Sequence, residues 1–238
     1  MPRVSLNIDL GELPGEAVEL YSLATAVNIA CGGHAGDEAS MDRAAMLAVR
    51  AGAAIAAHPS YPDREGFGRT KITVGQDELK TSVRSQCAAL RRAALGAGGS
   101  VHSMKPHGAL YHEAARNPSV AEAVIEGARE GLGVNSIEVV GPPGSELLER
   151  ARALGCEAIR EGFADRGYRD DGSLIPRGEP GALLKGPEAC AAQAVRLAKT
   201  GAFETLCLHA DTDGALLNAR AVRRALVAEG LLALKGGR

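Results

Sequence analysis

A short apolar run ending in polar residues, followed by a stretch of helical periodicity, recurs along this chain and restricts its fold more than any other feature. Runs rich in apolar and β-branched residues fall at 4–9, 27–31, 53–57, 101–105, 137–141, 157–161 and 205–209, giving about seven candidate strands. Between the second and third, Asp37 suits a helix N-cap, Met41, Ala44, Ala45 and Ala48 recur at helical spacing, and Gly52 suits the stop. Further helices are predicted over 76–95, 118–130, 145–154, 187–199 and 215–229, and another begins after Gly108. Strands joined through helices run parallel with right-handed crossovers, either in an open doubly wound sheet or in a closed barrel.

The polar residues choose between these two. Asp9 and Glu12 follow the first run, Cys31, His34 and Asp37 the second, and His58 and Asp63 the third. Lys105 and His107 follow the fourth, Asp165 and Arg166 the sixth, and His209 and Asp211 the seventh. An open sheet collects ligand groups mainly at its switch point, whereas a barrel gathers them from the C-terminal ends of many strands. The sequence therefore predicts an α/β fold, an irregular (β/α) barrel of about seven parallel strands, as one domain over residues 1–238.

Composition narrows the partners. Hydrophobic residues make up 45% and charged residues 24%, so the chain has enough apolar content to fold around a core. The formal net charge of -2, with acids and bases interspersed, gives neither a nucleic-acid footprint nor a polybasic membrane contact. No run approaches the ~18 apolar residues of a spanning helix, and the N-terminal stretch lacks the pattern of a secretory leader, so a cytoplasmic location is expected. Five cysteines without a CxxC pair form neither a disulfide framework nor a zinc knuckle. No G-x-x-x-x-G-K-[ST] segment occurs, so any ATP chemistry needs an unfamiliar site or another chain.

Five segments carry the chemistry. In "NIACGGHAGD", opening at Asn28, Gly32, Gly33 and Gly36 permit close backbone approach to a ligand, and His34 acts as base, acid or metal ligand. Cys31 reads as a buried strand-end thiol. In "AAHPSYPDREGFGRT", His58 and Arg69 are the candidates, while Asp63, Arg64 and Glu65 read as solvated charges. "MKPHGALYH" sets Lys105 at a strand end beside His107, a cation next to a proton carrier. "FADRGYRDDGSLIPRGEPGALL" is a long loop with Asp165, Arg166 and Arg177 and the character of a lid or partner surface. "CLHADTDGA" puts His209 and Asp211 two apart, on one face if the segment is extended.

Together these segments, with "LNIDLGE" near the start and "LCLHADTDGALLNARAVRRAL" near the end, resemble the LamB/YcsF family across nearly the whole chain. Members of that family are described as the A component of the bacterial ATP-dependent 5-oxoprolinase. The resemblance implies a barrel related to the glycoside hydrolase and polysaccharide deacetylase superfamily. It implies opening of the 5-oxoproline lactam to L-glutamate with ATP hydrolysis to ADP and phosphate, with 5-oxoprolinase subunits B and C as partners and the ATP site shared with them or on them. On that reading Lys105 and the backbone at Gly32 and Gly33 stabilise carbonyl or phosphate charge. Asp9, His107 or His209, with Asp211 beside it, move protons. Arg69, Arg166 or Arg177 grip the substrate carboxylate, and Asn28 and Asp165 complete its surroundings. The superfamily link also implies an alternative: a metal-dependent hydrolase or deacetylase acting on a carbohydrate or another cyclic amide, in which Asp9, His34 and His58 hold a divalent ion. A non-catalytic lactam- or carbohydrate-binding protein is the third reading.

Overall fold

The computed structural model describes residues 3–233. Seven parallel strands close into a barrel in sequence order: β1 (Ser5–Leu10), β2 (Ala26–Ala30), β3 (Ala54–His58), β4 (Val101–Met104), β5 (Glu138–Gly141), β6 (Glu157–Phe163) and β7 (Thr205–His209). Closure is made by β1 against β7, with Asn7 opposite Cys207 and Asp9 opposite His209. Eight helices among the described residues surround it: α1 (Glu19–Leu23), α2 (Glu38–Ala51), α3 (Gln76–Gly96), α4 (Gly108–Ala114), α5 (Pro118–Leu132), α6 (Glu146–Ala153), α7 (Pro187–Thr200) and α8 (Ala215–Ala228). The closed barrel and the seven predicted strands are thus present, with edges displaced by a residue or two. Only α1 is not predicted from the sequence; it is five residues long and no side chain caps it.

Local chemistry fixes the long helices. Asp37 accepts from Ser40 N while the Ser40 hydroxyl reciprocates at the N-cap backbone, and Gly52 ends α2 in the left-handed region at φ 64°. Asn117 caps α5, Pro118 occupies its first turn, and Gly133 ends it the same way.

Strand alternation separates two interiors. Leu6, Ile8 and Leu10 of β1, Val27 and Ile29 of β2, and Leu206 and Leu208 of β7 are fully buried in the apolar layer beneath the helices. The residues between them, Asn7, Asp9, Asn28, Thr205 and Cys207, face the barrel axis, where they meet across strands. A β/α barrel ordinarily fills its axis with branched hydrocarbon. This one fills it with hydrogen-bonded polar groups, and those groups form the floor of the site.

Candidate active site at the C-terminal mouth of the barrel

Lys105, just past β4, is the hub of the axis. Its Nζ lies 3.0 Å from Asp9 Oδ1, 3.0 Å from Glu161 Oε1 and 2.9 Å from Cys207 Sγ. Asn28 Nδ2 donates to Asp9 Oδ1 and to Asn7 Oδ1, each at 2.7 Å, and Asn7 Nδ2 donates to Glu161 Oε1 and Thr205 Oγ1. Burial works against the Lys105 ammonium, but the carboxylates of Asp9 and Glu161 outweigh it and hold its pKa well above the usual lysine value. Burial works against the Asp9 carboxylate too, yet its pKa lies well below the usual range, with the Lys105 ammonium 3.0 Å away. Lys105 is therefore a fixed cation and Asp9 a fixed anion. Burial pushes the Cys207 thiol far up, so it stays neutral.

His209, at the end of β7, is backed by a carboxylate. Its Nδ1 is 3.0 Å from Asp165 Oδ2, and its backbone N–H donates to the same oxygen at 2.9 Å. Its Nε2 faces Asp9 Oδ2 at 3.9 Å, and its ring stacks on Phe163. Burial lowers the His209 pKa, Asp165 raises it by more, and the net shift is upward. Asp165 thus fixes the Nδ1–H tautomer and leaves Nε2 free to take or give a proton.

A second cluster lies beside this floor. Glu12 Oε1 is 3.0 Å from His34 Nε2, 3.2 Å from His107 Nδ1 and 3.7 Å from His58 Nε2, and all four residues are buried. The His34 and His107 rings stack in parallel at 3.7 Å. Burial drives the His34 pKa down to about 4 and lowers that of His107. One donor atom from each of the four lies within 4.8 Å of the others. Three imidazoles and a carboxylate match the ligand preferences of a borderline divalent ion, so the residues present fit a metal. The set differs from the predicted Asp9, His34 and His58. Asp9 groups instead with Cys207 and His209, and its oxygens are engaged by Lys105 and Asn28.

Over both clusters opens a cavity of about 640 Å³. Asp9, His58, Lys105, His107 and His209 reach it from below, and Arg69, Lys71, Arg116, Arg166 and Arg177 line it higher up. Asp211 pairs with Arg69 and Arg177, and Glu113 with Lys71 and Arg116, so cations outnumber carboxylates at this mouth, a charge balance suited to a carboxylate or phosphate. Two long connections shape it. In the β3–α3 connection, Phe67 O accepts from His107 Nε2 and Gly68 O from Ala109 N. In the β6–α7 connection, the Arg166 guanidinium donates to the carbonyls of Ala182 and Ile175. Gln193 then ties the base of that connection to Phe163 O and Arg166 O.

Several predicted roles change with this geometry. Gly32 and Gly33 do not line the cavity: Gly32 N donates to Ala35 O, and a Cβ on Gly33 would strike Ser60 Oγ and Gln86 Oε1. These glycines form a tight turn that seats His34 against Glu12. Asn28 sits beneath the floor and holds Asp9, and Asp165 sits behind His209. The chain turns immediately after His209, so Asp211 leaves the strand line and pairs with Arg69 and with Arg177 Nη2, the latter at 2.9 Å. Arg64 is exposed, as expected of a solvated charge, and in addition anchors the glycine turn by donating to Gly32 O and Gly36 O. Burial takes the Cys31 thiol up to about 12, in keeping with its core role. The sequence does not single out Asn7, Glu161 or Cys207, and it marks Glu12 only as a strand-end residue. Alternation points to three of them once the strands are placed: Asn7 and Asp9 are two apart, as are Cys207 and His209, and Glu161 occupies an inward position of β6.

A closed parallel barrel that brings a lysine–carboxylate hub, a carboxylate-backed histidine and a histidine–glutamate cluster to one end is built as barrel enzymes are, with its chemistry on the strand-to-helix side. The chain belongs to the LamB/YcsF family, whose model matches residues 4–235. It is 42% identical to the A component of a 5-oxoprolinase from Methylococcus capsulatus over 98% of this chain and 96% of that one. It is also 42% identical to the corresponding 5-oxoprolinase component from Streptomyces avermitilis over 96% and 97%. Among solved structures, a lactam utilization protein from Thermus thermophilus superposes with a TM-score of 0.90 at 33% identity, covering 98% of this chain and 99% of that one. A family 4 carbohydrate esterase from Streptomyces lividans, at 14% identity and a TM-score of 0.50 over 98% and 91%, shares the fold alone.

Proposed function

We propose that this chain is the A component of a 5-oxoprolinase and binds 5-oxoproline in the cavity at the barrel mouth. The observation that carries the reading is the 42% identity, over nearly the full length of both chains, to proteins of that name. The geometry accords with it. 5-Oxoproline is a small carboxylate with a stable amide in its ring. The arginines at the rim suit the carboxylate; Arg69 and Arg177 already share one, that of Asp211. The His209–Asp165 pair supplies a proton carrier on the floor. All the short contacts of Lys105 go to groups of the axis, so its part is to hold Asp9 and Glu161 in place, and Asp9 presents fixed negative charge toward His209.

Opening the ring needs an activated carbonyl, for which ATP is the energy source. With no nucleotide-binding loop of the usual kind in this chain, the ATP site lies on, or is completed by, subunits B and C, in a cytoplasmic assembly. An ion bound within the cluster formed by Glu12, His34, His58 and His107 would polarise a carbonyl or activate water next to the floor. The deciding experiment measures glutamate released from 5-oxoproline and ATP by the chain alone and by the chain with its B and C partners. Release in the mixture only is the expected result. No release from a demonstrably assembled complex would overturn the reading.

A further inference from the structure

Backbone carbonyls set the tautomers of two cluster histidines. His58 Nδ1 lies 2.8 Å from the carbonyl oxygen of Lys105, and His107 Nε2 lies 3.0 Å from that of Phe67. A carbonyl oxygen only accepts, so both of these nitrogens carry a proton. In the neutral rings the opposite nitrogens, His58 Nε2 and His107 Nδ1, then present lone pairs, and they face each other across 3.1 Å. Glu12 Oε1, also an acceptor, is 3.2 Å from one and 3.7 Å from the other. Asp9 Oδ2 adds a further acceptor 3.4 Å from His58 Nε2. Lone pairs converging in a buried site repel unless a positive charge sits among them.

The spacing says which charge fits. An ion bound tetrahedrally at the usual zinc distances sets neighbouring donor atoms about 3.4 Å apart. The three separations among Glu12, His58 and His107 are 3.1, 3.2 and 3.7 Å. A carbonyl behind the far nitrogen of each histidine is the outer support that metal-bound imidazoles have. His34 Nε2, 3.0 Å from Glu12 Oε1, supports the carboxylate in the same way. Its own Nδ1 has no hydrogen-bond partner among the described residues.

We propose that Glu12 Oε1, His58 Nε2 and His107 Nδ1 bind one divalent transition ion of the zinc class, with His34 positioning Glu12 and the fourth coordination position open to the cavity, which both His58 and His107 reach. Three protein ligands and an open position are the pattern of a catalytic rather than a structural ion. Imidazole donors favour zinc, iron, cobalt or nickel over magnesium or calcium.

The test uses the full chain alone, so its outcome is separate from that of the lactam assay. The protein is stripped with a chelator, dialysed, and titrated with Zn²⁺ by calorimetry, with metal content measured after gel filtration. One equivalent should bind and raise the melting temperature. Glu12→Gln and His107→Gln should abolish stoichiometric binding, and His34→Gln should weaken it by about 10–100-fold. Cys207→Ser should leave it unchanged, and Co²⁺ in place of Zn²⁺ should give visible ligand-field bands without a thiolate charge-transfer band. Circular dichroism identifies any variant that fails to fold, and the wild-type titration stands without the variants. A folded wild-type chain that takes up no stoichiometric Zn²⁺ would mean that a proton on His58 occupies the gap, and the proposal would fail. It would fail equally if binding survived both ligand variants, or if a thiolate band placed the ion at Asp9, Cys207 and His209.

Discussion

His209 takes its proton affinity from Asp165. Burial alone would lower the imidazole pKa, and the carboxylate behind Nδ1 reverses the sign. A histidine whose folded pKa is raised adds stability in full below about pH 6.5, and that contribution is lost as pH rises through the folded value. For a base the same shift delays activation, because neutral His209 appears only above the raised value. Asp165→Asn removes the charge, lets burial prevail, and frees the wrong tautomer. The acid limb of the kcat/KM profile of the assembled enzyme should therefore move to lower pH while kcat falls by about 10²–10⁴-fold. A pH–rate series on both proteins checks this, and an unmoved limb would remove Asp165 from the role of positioning residue. Lys105, His107 and His209 are legible in the sequence because each stands at a strand end, among residues that no core requires. Asn7 and Glu161 are not, because inside a strand a polar residue reads as solvent-facing unless the strand is known to line a polar axis. The role of Asp211 is misleading in sequence because two-residue spacing means a shared face only while the chain stays extended, and here the strand ends at His209.

Strands and capped helices are readable element by element. Alternating apolar positions in β1, β2 and β7 and the Asp37–Ser40 and Asn117–Pro118 signals are all local. The connections are less so, since their order depends on side chains reaching distant carbonyls. Arg166 is the clearest case: its guanidinium pins Ala182 O and Ile175 O, and the antiparallel bridges Arg166–Leu183 and Tyr168–Leu174 continue the same fastening. Arg166→Ala leaves both carbonyls without their charged donor, a loss of about 1–3 kcal/mol. Limited proteolysis should then cut within residues 164–186 faster than in the wild type, with the barrel left intact. Because the same segment carries Arg177 to the cavity, KM for the anionic substrate should rise more than kcat falls. Equal cleavage rates in the two proteins would show that the segment is fastened elsewhere.

Across the whole molecule, closure of β7 on β1 has no local signature in the sequence; only the chemistry gathered at many strand ends points to it. The ring is uneven. β1 pairs with β7 over five residues, whereas β4 meets β5 at only Ser103–Glu138 and Met104–Val139. Native-state hydrogen exchange should find the lowest protection among the strands at this seam and the highest along β1, β2 and β7. Uniform protection around the ring would mean that the surrounding helices, rather than strand pairing, set local opening. The polar axis has a further consequence for how such a protein can change. Buried ion pairs are often matched or surpassed in stability by apolar residues of similar volume, so Lys105, Glu161 and Asn7 are places where a tougher barrel lies within a few substitutions. Each of those substitutions would also dismantle the floor that orients Asp9. Durability and activity therefore compete for the same atoms, and a lineage under heat has to harden its outer coat of helices while leaving its centre as fragile as it is.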